Sequence, residues 1–207
     1  MIHCLITDGS ALIDEPAWLE KLEYWIERGV DLIQIREHEL TTRQLATLTR
    51  KVLALPNPHN TKILLNDRAD VAIACGAHGI HLRDHAPDTR RSPRLLMITR
   101  AAHHLDQLPL IQQDADYILL APIFAPLSET EPTPPLGLEA LREACRLTSI
   151  PILALGGITA DNARQCEEAG AAGIAGISYF ETALWTPGTG TTKRDFHEKA
   201  GRVKHPR

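Results

Sequence analysis

The constraint that does most to limit this chain is a rhythm: short apolar runs alternate with stretches of helical periodicity from one end to the other. The runs are Ile2 to Ile6, Val30 to Ile35, Ile63 to Leu65, Ile80 to Leu82, Leu95 to Ile98, Tyr117 to Leu120, Pro151 to Leu155 and Gly173 to Ile177. Between them, Trp18, Leu22, Trp25 and Ile26 recur at helical spacing and stop at Gly29, and Leu45, Leu48 and Val52 do the same before the turn-forming PNPHN. A third helix, Ala69 to Cys75, ends at Gly76, whereas Pro109 should shorten the helix that carries Leu105, Leu108 and Ile111. About eight strands alternating with helices predict a (β/α)₈ TIM barrel rather than an open sheet, and 207 residues suit one such domain. The basic end, about 186–207, is expected to fray.

A barrel concentrates function at the C-terminal ends of its strands. Those ends carry Thr7, Asp8, Gln34, Arg36, His38, Asn66, Asp67, His81, Asp84, Arg100 and His103, which predicts one shared polar mouth. The most informative unit is Pro151 to Ser178, read as strand, glycine turn, helix capped by Thr159, and return strand. Gly156 and Gly157 would leave backbone N–H groups uncovered beyond one strand, beside Ile177 and Ser178 beyond the next. A phosphate monoester fits between them; the same glycines also serve a plain tight turn.

Composition closes other routes. A formal charge of -4 builds no field for nucleic acid, and no apolar run reaches membrane-spanning length. The start MIHCLITDGS lacks the basic and apolar regions of a signal peptide, so a cytoplasmic location is expected. The four cysteines show no C-x-x-C spacing and read as reduced core residues.

Several segments together resemble the superfamily of thiamine phosphate synthase and the TenI-type thiazole tautomerases. They are Thr7-Asp8 in LITDGS, Gln34 and Arg36 in DLIQIRE, LLNDRADVAIACGAHGIHL, Pro122-Ile123-Phe124, LALGGIT and GAAGIAGIS. In the synthase, the resemblance implies, a pyrimidine pyrophosphate ionises, the thiazole nitrogen of a thiazole phosphate captures the carbocation, and magnesium with cationic groups holds the leaving pyrophosphate. Asn66 is kept in that pattern, and Asp67 matches a metal ligand. His38 stands where the synthase pattern has lysine, and the later G-Q-D-D block reads Arg83, Asp84, His85 and Ala86, so that the second magnesium carboxylate is either missing or displaced onto Asp84. Glu129 also stands where the synthase has lysine. At an effective dielectric of about 20, a contact between unit charges is worth on the order of 4 kcal/mol, here in the wrong direction for a pyrophosphate.

The segment TRAAHH resembles the tautomerase G-R-S-V-H-S, with Arg100 on its arginine and His103 on its catalytic histidine. Imidazole titrates near neutrality and suits a proton carried around a ring. The first reading is therefore a tautomerase acting on a carboxythiazole phosphate without a cofactor, with His103 as acid/base. Arg36 and Arg100 would meet anions, and Gly156, Gly157, Ile177 and Ser178 would hold the phosphate. The alternatives are a magnesium-dependent synthase, with Gln34, Asn66 and Asp67 in its site, and a barrel that binds a phosphorylated ligand without turnover. Neither nucleic acid nor a membrane is an expected partner, and pairing of two barrels is compatible with the class. His38 and His81 read as structural or supporting residues, Asp67-Arg68 also as an ion pair, and Arg36-Glu37 also as a salt bridge.

Overall fold

A computed structural model describes residues 1–83, 86, 96–125 and 134–181. Eight parallel strands close into a barrel in sequence order: β1 (Ile2–Ile6), β2 (Leu32–Ile35), β3 (Lys62–Asn66), β4 (Gly79–Leu82), β5 (Met97–Ala102), β6 (Tyr117–Leu120), β7 (Ile152–Ala154) and β8 (Gly173–Gly176). Helices α1 (Glu15–Glu27), α2 (Thr42–Leu53), α3 (Ala69–Cys75), α4 (Leu108–Ile111), α5 (Gly137–Leu147) and α6 (Ala163–Glu168) lie between them.

Strand alternation sorts the apolar residues into two cores. Cys4, Leu32, Leu64, Leu119, Leu153 and Ala175 fill the barrel, while Leu5, Ile33, Leu65, Ile80, Ile118 and Ile174 face the helices. The seam between first and last strands is tight: a Cβ on Gly173 would lie 2.1 Å from the Ile2 carbonyl oxygen. Just past β8, Phe180 is fully buried and meets Trp25 of α1 edge to face at 5.1 Å, fastening the end of the barrel onto its first helix. The helical periodicity around Trp18 and Trp25 is thus core packing. Burial pushes the Cys4 thiol up to about 12 and the Cys166 thiol to about 11, so both are inert hydrophobes.

Three boundaries differ from the sequence reading. Strand β5 runs on to Ala102 instead of stopping at Ile98, which places Arg100 within the strand. Thr159 is not the cap of α6: the Asn162 amide accepts from the Thr159 N–H at 2.8 Å and donates to the Gly157 carbonyl at 2.9 Å, so loop geometry takes three residues that helix propensity would have used. Pro109 leaves only a short 3₁₀ turn and the single turn of α4. The expected fraying of about 186–207, Glu129 and Asp84 all fall outside the described residues.

Candidate functional site

A cavity of about 620 Å³ opens at the C-terminal ends of the strands, and its walls come from different parts of the chain. The first wall is built on β2, β3 and β4. Gln34 and Asn66 point inward, and Gln34 Nε2 donates to Asn66 Oδ1 at 3.1 Å. Asn66 Nδ2 lies 3.4 Å from Asp67 Oδ2, which also accepts from Arg83 Nε at 2.7 Å. A polar row therefore runs from the barrel interior to its rim. Arg36, His38 and Arg83 line the cavity on this side.

The aim of Arg36 has a local cause. Thr7 Oγ1 accepts from the Arg36 N–H at 2.8 Å, which ties the end of β2 to the end of β1. Glu37 turns the other way and is buried, its carboxylate accepting from the N–H groups of Gly9 and Ala11 and from Trp18 Nε1. Arg36 and Glu37 thus form no salt bridge with each other; each serves opposite sides of the strand end. Asp8 lies against Ser10 and Lys21, and these contacts hold its carboxyl below the usual range even though partial burial opposes them.

The second wall comes from β7 and β8. Gly156 and Gly157 adopt φ of 93° and 62°, and the N–H groups of Gly156, Gly157 and Ile177 donate to no oxygen among the described residues. Asn162 clamps this turn from behind. With Ser178 beside them, these donors line the same part of the cavity, where the sequence reading places a phosphate.

His103 sits between the walls, just beyond β5. Its Nδ1 lies 3.0 Å from the Ala121 carbonyl oxygen. A carbonyl only accepts, so Nδ1 carries the proton and Nε2 is the nitrogen with a free lone pair.

Arg100 corrects the sequence reading. It does not line the cavity: it is 2% exposed on the outward face of β5, with Nε 3.6 Å from Asp114 Oδ1 and its guanidinium near the Ala86 carbonyl. The reason is periodicity. His81 pairs with Thr99 and Leu82 with Arg100, so Arg100 shares the outward face of Leu82.

The same periodicity brings in Arg83, to which the sequence reading gave no site role. His81 faces inward with Nδ1 2.8 Å from Thr99 Oγ1, and Arg83, two residues on, faces the cavity as well. Counting by two from His81 would have found Arg83. His38 lines the mouth rather than only supporting it.

Burial, aided by the nearby charges of Arg36 and Arg100, pushes the His81 imidazole down to about 4. An unfolded histidine binds its proton near 6.5, so between that value and about 4 the unfolded chain holds more protons than the folded one. Stability should fall as pH drops through this window, by about 3 kcal/mol from this residue. Urea midpoints measured from pH 7 to pH 4 should show the loss, and His81→Gln should flatten it.

Among the described residues, the side chains around Asp67 do not make a magnesium site, and Asp84 lies outside them. The Asp67 carboxylate already accepts from Arg83 and Asn66, and among the described residues no cluster of three or more His, Cys, Asp or Glu side chains could hold a metal.

The closed barrel carries one mouth at its C-terminal strand ends, with bare backbone N–H groups on one wall and Arg36, His38 and Arg83 on the other, the usual place for the active site of a (β/α)₈ enzyme. The sequence matches the profile of the thiamine monophosphate synthase family over residues 3–180, and the chain belongs to that family. It is 38% identical over 168 residues to the putative thiamine-phosphate synthase 2 of Aquifex aeolicus, covering 79% of this chain and 89% of the relative. The thiamine-phosphate synthase of Methanoregula boonei is 33% identical over 205 residues, 97% of this chain and 93% of the relative. Among solved structures, thiamine phosphate pyrophosphorylase from Pyrococcus furiosus superposes with a TM-score of 0.77 at 26% identity, covering 97% of this chain and 93% of that one. These relatives carry synthase names, so the comparisons favour the synthase alternative over the tautomerase reading placed first on sequence grounds. No described helix is long and apolar enough to cross a membrane.

Proposed function

We propose that the enzyme is a thiamine phosphate synthase, joining a thiazole phosphate to a hydroxymethylpyrimidine pyrophosphate. The observation that carries this reading is one cavity with two different walls, bare backbone N–H groups on one and Arg36, His38 and Arg83 on the other, which would suit two phosphorylated substrates rather than one. The thiazole phosphate lies against the N–H groups of Gly156, Gly157 and Ile177 and the Ser178 hydroxyl. The pyrophosphate faces Arg36, His38 and Arg83. As the C–O bond of the pyrimidine substrate breaks, its electron pair leaves with the pyrophosphate, and the thiazole nitrogen lone pair forms the new C–N bond to the pyrimidine methylene. Guanidinium groups favour the charge that develops on the leaving group.

Gln34 supplies further support. It is 3% exposed, lines the cavity, and its Oε1 has no hydrogen-bond partner among the described residues, an acceptor suited to an aminopyrimidine N–H.

A second reading, tautomerisation of a carboxythiazole phosphate, is favoured by one specific feature: the His103 ring whose Nδ1 is committed to Ala121, leaving Nε2 as a base. His103→Ala separates the two. For a synthase, thiamine phosphate formation from the two phosphorylated halves should stay within about threefold of the parent, because neither bond change moves a proton to His103. For a tautomerase, aromatisation should fall by about 100-fold or more, the usual share of a general base. Parent protein that aromatises the tautomer and forms no thiamine phosphate over a range of magnesium concentrations would overturn the synthase proposal.

A further inference from the structure

The cation that would neutralise a second anion in this mouth is already part of the chain. Asp67 has φ of 60°, a left-handed conformation uncommon outside glycine, asparagine and aspartate, and its carboxylate accepts from Arg83 Nε at 2.7 Å. That contact uses one nitrogen of a planar group with five N–H donors. Arg83 Nη1 and Nη2 have no hydrogen-bond partner among the described residues, and the side chain is 69% exposed where it lines the cavity. Arg36 and His38 line the same side. Asp67, the carboxylate that a metal would need, is instead spent on holding a guanidinium at the rim.

We propose that Arg83, anchored through Nε by Asp67, binds the diphosphate of the second substrate with its open fork and takes the place of a metal ion on this wall. The choice of a diphosphate rests on the synthase reading; the presence of an anion site does not. Two oxygens on one phosphoryl group match the spacing of Nη1 and Nη2, and Arg36 supplies a further positive charge to the same anion. Asp67 then acts as a positioning residue, setting the direction of the fork and not contacting the anion.

The test is calorimetric titration of the full chain with inorganic pyrophosphate in excess EDTA. Binding should occur without metal. Arg83→Ala should weaken it by about 10- to 100-fold, the range of one charge-assisted interaction, while Arg83→Lys keeps part of the affinity through its charge. Orthophosphate binding at the glycine wall should be unchanged by both substitutions. Asp67→Asn should weaken pyrophosphate binding in EDTA several-fold, and added magnesium should not restore it. Pyrophosphate binding that needs magnesium, an Arg83→Ala variant with parental affinity, or an Asp67→Asn variant that loses only a magnesium-dependent component would each overturn the proposal. Circular dichroism melts separate these effects from misfolding. Intact metal-free pyrophosphate binding in a protein that forms no thiamine phosphate would refute the synthase reading and leave the guanidinium site standing.

Discussion

Gly157→Ala is expected to lower stability by about 3 kcal/mol or more and to abolish measurable phosphate binding at the second wall. Two effects add. Gly157 has φ of 62°, which a Cβ disfavours, and the added Cβ would lie 2.4 Å from the Ala125 carbonyl oxygen and 2.8 Å from Phe124 Cβ. Neither neighbour yields easily, because Phe124 N–H donates to the Gly156 carbonyl at 3.0 Å and holds the two loops together. For a chain of this size, the melting temperature should drop by about 6 to 12 °C. Gly9→Ala is the control: φ there is 88°, yet nothing lies within 4 Å of the added carbon, so it reports strain without collision. Equal losses in the two variants would mean that loop contact contributes nothing. The close approach shows that these glycines serve the tight turn, and the phosphate-binding measurement tests whether they also hold an anion.

Glu37→Ala should cost about 3 to 5 kcal/mol, although Glu37 does not line the cavity. Its buried carboxylate accepts from Gly9 N–H at 3.2 Å, Ala11 N–H at 3.1 Å and Trp18 Nε1 at 3.1 Å. Removing it strands three donors in a region where Ala11 and Trp18 are almost fully buried. Glu37→Gln keeps one acceptor oxygen and should recover roughly half of the loss in a urea titration. A loss under about 1 kcal/mol for the alanine variant would show that water replaces these bonds. Because Glu37 fastens the loop after β1 at the barrel mouth, the weakening should reach substrate affinity as well as stability.

How far the site could be read in advance depended on the distance over which each residue is determined. Gly156, Gly157, Ile177 and Ser178 came from one contiguous unit, where strand, turn and return strand fix their order locally. Gln34, Asn66 and His103 were placed by their positions at or just past strand ends. Arg100 was misplaced because the reading stopped β5 at Ile98; four more residues of strand turn it outward toward Asp114. Arg83 points inward by the simple alternation that starts at His81, but its partner, Asp67, is sixteen residues away and could not be read from the local sequence.

The barrel itself was legible in the sequence because hydrophobic periodicity is a local property: alternation of apolar runs with helical faces leaves few closed parallel architectures. What only the tertiary structure decided was which side chains meet. The face a strand residue presents depends on where its strand ends and how it registers with its neighbours, so the outward turn of Arg100 and the engagement of Asp67 by Arg83 required the closed sheet.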